Sequence, residues 1–498
     1  MLISKILIGI SASRNYNIME YESVIGLEVH IHLNTRTKAF CSCGTEFGLA
    51  ANTQVCPVCL GFPGTLPVFN EVFLEYAIRA GLALNCKIAN YIKFDRKNYF
   101  YPDLPKGYQI TQFDFPIGAC GYLNIALSKG ENKRIGVTRV HMEEDAGKLV
   151  HTNRATLVDF NRGGIPLLEI VSEPDLNSAQ QAYTYLSSLK SIIEYLEISD
   201  CDMEKGSLRC DANISLRLKG TQKLGVKVEL KNMNSFKNVR TALNYEITRQ
   251  KEQLDTGKKI VQQTRLWDAD KQKTVVMREK EDAHDYRYFP EPDLVPFTIS
   301  NELIEQISSN LPELPAAKKQ RLIEQYKLSE YDAGVISADK HLALYFEAVV
   351  SVYFEPKVVA NWLMGSIMNY LNTHQSDAIK LQDLLPAERL VSLLKVVAKG
   401  VISVKIAKEI LPEVISSNKD AEAIIKEKKL CQISDPSELE SIIDEIINAN
   451  ANVVQDFKDG KTNALMFFVG QVMKKTRGKA NPQVVNTMLK NKLIVSDA

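Results

Sequence analysis

One segment decides the fold: Val24-Ile25-Gly26-Leu27-Glu28-Val29-His30-Ile31-His32-Leu33. Apolar and polar side chains alternate along it with a period of two, which is typical of a β-strand with one buried face. Glu28, His30 and His32 therefore share one surface, and each can bind a proton or a metal ion. Taken alone, an ordinary strand with a solvated outer face is the simpler interpretation.

The same alternation recurs at residues 137–143, 211–218 and 226–231. Each segment opposes an apolar face to a polar one, and the polar faces carry Arg139, His141 and Glu143; Asp211, Asn213, Ser215 and Arg217; and Lys227, Glu229 and Lys231. Four such strands predict one mostly antiparallel sheet, with a core on one face and a polar floor on the other. Carboxylates on one floor repel one another unless a cation lies among them, so the pattern indicates a metal ion or a polyvalent substrate.

Length and composition set wide limits. The 498 residues leave room for about two to four domains. A hydrophobic content of 45% and a charged content of 24% are ordinary for a soluble protein, and no apolar run reaches the roughly 18 residues that a membrane span needs. Because the formal net charge is only +1, the chain as a whole does not attract nucleic acid. Any binding of nucleic acid therefore requires a local basic patch.

The N-terminus and the cysteines bear on location. Residues 1–20 are interpreted as a loose extension, because Met19 directly precedes the first strand and an upstream start codon would add such a segment. A short organellar presequence is the alternative, although Lys5 lies inside the apolar run. Nine cysteines in a large chain indicate a reducing compartment with mostly free thiols.

Four of the cysteines form two close pairs, C-x-C followed after twelve residues by C-x-x-C: Cys41, Cys43, Cys56 and Cys59. Two short thiolate pairs on turns can complete a tetrahedron around zinc. Four thiolates leave no open position for a substrate, so the expected zinc site is structural. Free or redox-active thiols are the alternative.

Three further segments carry candidate ligands for anions or metals. Residues 94–108 interleave aromatic rings with Arg96, Lys97 and Lys106, which suits stacking and phosphate contacts but equally suits a structural loop. The three acids Glu143, Glu144 and Asp145 suit Mg²⁺, although they also suit a solvated turn. Arg162 precedes two glycines, which would let its guanidinium and the backbone approach one anion together.

The character of the sequence changes near residue 300, where helical periodicity replaces strand alternation. We predict an α+β domain over residues 21–297, an all-α domain over 298–418 and a small helical tail over 419–498. The tail holds a local basic patch that is a candidate phosphate contact, although a solvated helix end is as common: Lys474, Lys475, Arg477, Lys479, Lys490 and Lys492. There is no Walker A loop, because Gln455 stands where its first glycine is needed before Gly460-Lys461-Thr462.

Together these segments resemble the B-subunit family of the bacterial and organellar aspartyl/glutamyl-tRNA amidotransferases. The resemblance extends from Val24 to Asn481, and it is carried by residues 25–30, 94–109, 141–148, 161–170, 206–215, 229–236, 285–294 and 474–482. It implies a cradle-shaped α+β domain built on a mostly antiparallel sheet with flanking helices, an all-α domain and a helical tail. It also implies a heterotrimer with a glutaminase (A) subunit and a small tethering (C) subunit, which acts on tRNA misacylated with glutamate or aspartate. The implied location is the bacterial cytoplasm, with the mitochondrial matrix as the alternative.

The resemblance assigns roles by position. The implied reaction uses ATP and Mg²⁺ to phosphorylate the side-chain carboxylate, and ammonia from glutamine then displaces the phosphate. The Mg²⁺ and catalytic role falls on Glu28, His30, Glu143, Glu144, Asp211 and Glu229, where His30 could instead orient a ligand or water. Phosphate or intermediate contacts fall on Arg96, Lys97, Lys106 and Arg162, and Lys97 could instead line the ammonia path. Structural Zn²⁺ falls on Cys41, Cys43, Cys56 and Cys59, and tRNA contacts fall on Lys474, Lys475, Arg477 and Lys479.

Two rival functions remain open at this point. A non-catalytic tRNA-binding scaffold would leave the ATP chemistry to another subunit, but it has no need of clustered carboxylates. A free-standing ligase for a small carboxylate would turn over ATP without tRNA. The sequence does not distinguish glutamate-charged from aspartate-charged tRNA as the substrate.

Overall fold

The computed structural model describes residues 20–127, 130–279, 285–374, 376, 378–417, 419–430, 436–458, 463–476 and 479–495. Residues 1–19 of the predicted N-terminal extension lie outside the described residues. The chain divides into two compact units, one ending at Leu314 and the other beginning at Pro315. The first combines strands with helices and the second is helical, which confirms the predicted α+β class with an all-α region after it.

The first unit contains the strands and four helices of the following bounds. Its strands are β1 (Tyr21–His32), β2 (Lys87–Ile88), β3 (Tyr91–Ile92), β4 (Asp95–Asn98), β5 (Tyr108–Thr111), β6 (Gly118–Ala126), β7 (Asn132–Glu144), β8 (Lys148–His151), β9 (Thr156–Asp159), β10 (Pro166–Ser172), β11 (Leu208–Leu218), β12 (Val228–Lys231), β13 (Gln263–Asp268), β14 (Lys273–Glu279), β15 (Phe289–Pro290) and β16 (Phe297–Thr298). Its helices in the described residues are α1 (Glu71–Ala83), α2 (Ala179–Tyr195), α3 (Phe236–Asp255) and α4 (Asn301–Ser309).

A nine-stranded sheet with the order β14-β13-β12-β11-β1-β10-β7-β6-β2 organises this unit. Its pairings are antiparallel except for β12 with β13, so the predicted mostly antiparallel sheet is confirmed. All four strands predicted from alternation belong to it, and β1 lies between β11 and β10 near its centre. Smaller sheets join β15-β4-β5, β16-β3 and β8-β9.

Burial on one face of the sheet explains why the other face is polar. Leu27, Val29 and Ile31 of β1 are at most 1% exposed and belong to one large apolar core. Helices α2 and α3 cover that face, and each begins at a serine whose hydroxyl accepts a backbone N–H, Ser178 for α2 and Ser235 for α3. Alternation then directs the intervening side chains of β1 to the opposite face.

The second unit consists of helices α5 (Pro315–Tyr326), α6 (Glu330–Ser337), α7 (Lys340–Val352), α8 (Pro356–Trp362), α9 (Met368–Thr373), α10 (Leu381–Leu384), α11 (Ala387–Ala398), α12 (Val404–Ser416), α13 (Ala421–Glu427), α14 (Pro436–Ala449), α15 (Ala451–Lys458), α16 (Asn463–Lys475) and α17 (Pro482–Val495), with a π-helical turn at Leu363–Ile367 and a 3₁₀ turn at Ala378–Lys380. Two separate apolar cores lie within it, one from Leu322 to Ile425 and one from Leu439 to Leu493. None of the helices in the described part of the chain has the length and apolar character of a membrane span.

Candidate active site

Strand register gathers the predicted polar side chains on one face of the large sheet. Glu28 of β1 pairs with Asp211 of β11, and His30 pairs with Arg209 on that side and with Glu169 of β10 on the other. Glu169 in turn pairs with His141 of β7. We call this surface, between β12 and β7, the polar floor. It joins groups from four separated segments of the chain.

Five acids and imidazoles lie close together in what we call the central cluster: Glu28, His30, His141, Glu143 and Glu169. His30 Nε2 lies 3.8 Å from Glu28 Oε1, 3.6 Å from Glu143 Oε1 and 3.3 Å from Glu169 Oε2. His141 Nε2 lies 3.3 Å from the same Glu169 oxygen and 3.8 Å from Glu143 Oε2. Glu28, His30 and Glu169 can offer one ligand atom each within 4.8 Å of one another, and so can His141, Glu143 and Glu169. Both trios have the spacing of a metal site.

The acids and imidazoles of the cluster are buried together, so the pKa of each depends on the charges of the others. We call this interdependence proton sharing. Burial disfavours protonated imidazole, but the neighbouring carboxylates outweigh it and raise the pKa of His141 to about 9 and also that of His30. The pKa of Glu169 lies well below its usual range, since both histidines overcome the effect of burial. Burial and the nearby Glu169 raise the pKa of Glu28. A divalent cation would replace this proton-mediated neutralisation by direct charge compensation.

Asp211 and Glu229 extend the floor toward β12. Lys231 lies between them, bonded to Asp211 and 3.3 Å from Glu229 Oε1. Glu229 also accepts a hydrogen bond of 2.7 Å from Thr264 Oγ1 of β13. These two acids therefore have a lysine as cation, whereas the central cluster has its two imidazoles and Arg139, which lies 3.7 Å from Glu169 Oε1. Asp211 connects the two groups because its strand position is opposite Glu28.

A basic group adjoins the cluster where β7 ends. The buried Asp145 carboxylate accepts from His32 Nε2 at 2.5 Å, from Arg209 at 2.9 Å and from Arg162 Nε at 3.3 Å. Burial opposes ionisation of Asp145, but the charge of Arg209 and the bond from His32 hold its pKa well below the usual range. Arg162 also donates to the carbonyls of Ala146 and Gly147, at 3.0 and 2.7 Å, so it fixes the loop after β7.

The structure does not bring Glu144 into the central cluster. Its carboxylate accepts from the Ile110 backbone N–H at 2.9 Å and pairs with Lys106, and both Glu144 and Lys106 line a cavity beside the cysteine loop. Burial disfavours the charged ammonium of Lys97, but nearby negative charges, that of Glu143 foremost, outweigh it and raise its pKa. Its Nζ lies 5.0 Å from the centre of the Tyr286 ring.

Arg96 lies in a different environment from the other predicted anion ligands. Its Nε and one terminal nitrogen donate to Glu291 at 2.8 and 2.7 Å, and the Glu291 side chain is 0% exposed. The guanidinium carbon also lies 4.2 Å from the centre of the Tyr108 ring. This bidentate pair connects β4 with the segment after β15, so Arg96 is engaged in structure.

The four predicted zinc ligands come together. The sulfurs of Cys41, Cys43, Cys56 and Cys59 lie within 4.8 Å of one another. A zinc tetrathiolate with Zn–S bonds near 2.3 Å places its sulfurs about 3.8 Å apart, so the set fits that ion. Hydrogen bonding from Cys41 lowers the pKa of Cys59 to about 4, and burial raises that of Cys43 to about 11. The thiolate needed for metal binding is thus favoured at Cys59.

Comparison with known proteins agrees with this architecture. A family model described as the GatB/GatE catalytic domain matches residues 23–305, and one described as the GatB domain matches residues 344–493. The B subunit of the aspartyl/glutamyl-tRNA(Asn/Gln) amidotransferase of Carboxydothermus hydrogenoformans is 54% identical over 479 residues, covering 95% of this chain and 99% of that protein. The B subunit of the enzyme with the same name in Caldanaerobacter subterraneus subsp. tengcongensis is 55% identical over 478 residues, with 95% and 100% covered.

This chain belongs to the B-subunit family of these amidotransferases. The first family model spans the polar floor and the cysteine loop, since residues 23–305 include every side chain of the candidate active site. The similarity therefore extends over the whole candidate site and not over the fold alone.

The predicted tRNA contacts of this B-subunit family member lie at the end of the second unit. Lys474 is exposed at the end of α16, and Lys475 pairs with Glu445. Lys479 Nζ donates to the Lys429 carbonyl at 2.7 Å. Arg477 lies outside the described residues. Intramolecular contacts thus engage part of the predicted basic patch.

Sequence reasoning missed Glu169, which lies at the centre of the cluster. It also left His141 and Arg209 without assigned roles, although the alternation had placed His141 on the polar face. The only signal for Glu169 was a single acid within the apolar run Pro166-Leu167-Leu168-Glu169-Ile170-Val171. A charge inside such a buried strand requires a partner, and that requirement marks a site.

Proposed function

We propose that this chain is the subunit that activates glutamate or aspartate, still esterified to tRNA(Gln) or tRNA(Asn), for amidation. ATP would phosphorylate the side-chain carboxylate, and ammonia from a glutaminase subunit would then form the amide. The observation that carries this proposal is the central cluster, where three carboxylates from β1, β7 and β10 meet around two imidazoles. Such a cluster suits a divalent ion and its phosphate ligands.

The chemistry explains why a cation and an anion subsite are needed together. A free carboxylate resists attack by ammonia because oxide is a poor leaving group. In the first step a carboxylate oxygen attacks the γ-phosphorus, and the bond to ADP breaks. In the second step ammonia attacks the acyl carbon, inorganic phosphate leaves with the bonding electron pair, and the nitrogen loses a proton to water. Phosphoryl transfer depends mainly on positioning and on neutralisation of charge.

Residues of the polar floor have complementary roles in this proposal. Glu28, Glu143, Glu169, Asp211 and Glu229 would hold Mg²⁺, which neutralises the phosphate oxygens when bound. The imidazole of His30 would orient these carboxylates from within the cluster. The acids alone would repel ATP, so nearby cations are required as well.

Two of the predicted cations interact with acids at or beside the floor, Lys97 with Glu143 and Arg162 with Asp145. Lys97 is proposed to contact the transferred phosphoryl group, because the charges of Glu143 and Glu169 both raise the pKa of its ammonium and keep it protonated. Arg162 would act indirectly, by fixing the loop that carries Asp145. Lys106 is assigned with Glu144 to the cavity wall beside the cysteine loop, where it would influence passage of a small polar molecule.

Partners and location follow from the same proposal. The relatives are named as the B subunit of an amidotransferase, which supports assembly with other subunits. We propose that these are a glutaminase (A) subunit and a small tethering (C) subunit, and that the complex acts in the cytoplasm. Residues 419–498 would contact the tRNA through Lys474, Lys475, Arg477 and Lys479, and Zn²⁺ would stabilise the cysteine loop. We propose domain limits at residues 21–297, 298–418 and 419–498.

The test replaces two floor acids while preserving their shape. Glu143→Gln combined with Asp211→Asn is expected to abolish formation of the acyl phosphate from ATP and misacylated tRNA in the assembled complex. Glutaminase activity should persist. The matched control is Glu252→Gln with Asp255→Asn on the exposed face of α3, which should leave both activities intact. Retained phosphorylation in the floor variant would favour the non-catalytic scaffold, and ATP turnover without tRNA would favour the free-standing ligase.

A further inference from the structure

A fully buried lysine lies beside the cysteine cluster. The Lys38 residue is 0% exposed, and its Nζ lies 3.7 Å from Cys59 Sγ and donates to the Phe160 carbonyl at 3.1 Å. Among the ion pairs of the described residues, none joins Lys38 to a carboxylate. Glu144, which lies near the same glycine as Lys38, pairs with Lys106 instead. Of the two atoms to which the Lys38 ammonium donates, the Cys59 sulfur is the one that can carry a negative charge.

Burial of a charged ammonium group costs free energy unless an anion lies close to it. Transfer of an unpaired charge out of water costs several kcal/mol even after the protein relaxes. Four thiolates around one divalent ion carry a formal charge of minus four plus two, which is minus two. A buried cation at hydrogen-bond distance from one sulfur offsets part of that charge. The two charges would therefore stabilise each other.

Lys38 also contacts the other half of the cluster through its backbone. Its N–H donates to the Cys43 carbonyl at 2.9 Å, and its carbonyl accepts from Asn70 Nδ2 at 3.3 Å. The next residue, Ala39, donates to the Gly164 carbonyl at 2.8 Å. One residue thus touches the first cysteine pair by its main chain and the second pair by its side chain, while the adjoining backbone is fixed to the loop before β10.

We propose that Lys38 is the buried counter-ion of a metal–thiolate centre formed by Cys41, Cys43, Cys56 and Cys59. It donates an N–H···S hydrogen bond to Cys59, which lowers the negative charge of the centre and slows loss of the metal. This proposal uses the zinc assignment above but not the amidotransferase reaction. Its failure and the failure of the proposed function are therefore observed in different experiments.

The proposal predicts unequal effects of one substitution in two states of the protein. Lys38→Met replaces the ammonium by an apolar side chain of similar length. In the zinc-loaded protein the thiolates lose their counter-ion, so zinc should leave about tenfold faster or more, as for loss of one charge-assisted hydrogen bond. In the metal-free protein only the single Cys59 thiolate loses its counter-ion, so the melting temperature should fall less than it does in the zinc-loaded protein.

The experiment uses the full chain loaded with zinc. Zinc release is followed by the absorbance of a chromophoric chelator, and melting temperature is recorded before and after chelation. Lys38→Gln provides a second, independent variant, because it keeps a side-chain N–H donor but carries no charge. It should also release zinc faster than the wild type.

Lys318→Met is the matched control. Lys318 is 7% exposed and pairs with Glu347 at 2.8 Å in the second unit, remote in sequence from the cysteines. Its loss should lower the melting temperature equally with and without zinc, and should leave the release rate unchanged. The proposal is overturned if both Lys38 variants release zinc at the wild-type rate, if they lose equal stability in both states, or if the wild-type protein binds no zinc.

Discussion

Replacement of Arg96 tests whether this residue stabilises the fold or binds the substrate. The sequence placed it among the phosphate ligands, but its guanidinium makes a bidentate pair with Glu291, whose side chain is fully buried. Asp293 accepts a further bond from it at 3.1 Å. Arg96→Met would remove the cation and leave the Glu291 carboxylate buried without its partner.

The size of the effect follows from that burial. Removal of one member of a buried ion pair typically costs ~3–5 kcal/mol, because the remaining charge stays desolvated. Replacement of both members by apolar residues is often neutral. We therefore expect Arg96→Met to lower the unfolding free energy of the first unit by about 3–5 kcal/mol, and Arg96→Met with Glu291→Leu to recover most of it.

Urea unfolding followed by tryptophan fluorescence measures this difference. The chain has two tryptophans, Trp267 in the first unit and Trp362 in the second, so a Trp362→Phe background makes Trp267 the reporter of the first unit. Trp267 is 1% exposed, so its emission is sensitive to unfolding. With a slope of about 2–3 kcal/mol per molar urea, the midpoint should fall by roughly 1–2 M. An unchanged midpoint with lost acyl-phosphate formation would refute the structural role and restore the catalytic one.

Two further predictions concern the cluster and the tail. Because the pKa of His141 is raised from 6.5 to about 9, its protonation stabilises the fold fully below pH 6.5 and this contribution is lost as pH rises through about 9. Glu169→Gln should flatten that decline in urea midpoints between pH 6 and pH 10, and an unaltered pH profile would contradict the proton sharing. Removal of residues after 418 should weaken tRNA binding and reduce its salt dependence in filter-binding titrations, whereas equal affinity would exclude the tail as a tRNA contact.

The sheet was predictable because alternation is a local property. β1, β7, β11 and β12 each place polar side chains at alternate positions, so their polar faces could be recognised from short windows. The cysteine cluster was predictable for a similar reason, since both pairs are close in sequence. Helix starts at Ser178 and near Phe236 follow from capping residues and periodicity in the same way.

Contacts between distant segments were not predictable from these patterns. Glu291 is 195 positions from Arg96, and nothing in either segment indicates that they pair. Lys38 lies in a short connection without periodicity, so its complete burial has no sequence signal. Glu169 lies on a strand that is apolar at most positions, and the period-two rule therefore gives it no polar neighbours to share a face with. In each case the decisive information is a tertiary contact.

The geometry of the polar floor depends on packing at the opposite face of the same strands. Glu28 meets Asp211, and His30 meets Glu169, because β1 holds one register with both neighbours. A slip by one residue would direct these side chains into the apolar core and direct Val29 and its neighbours to the floor. The cost of burying those charges excludes the slipped register. The helices that cover the apolar face therefore position the acids without touching them. Substitutions in the core under β1 should shift the floor side chains although those side chains are themselves unchanged.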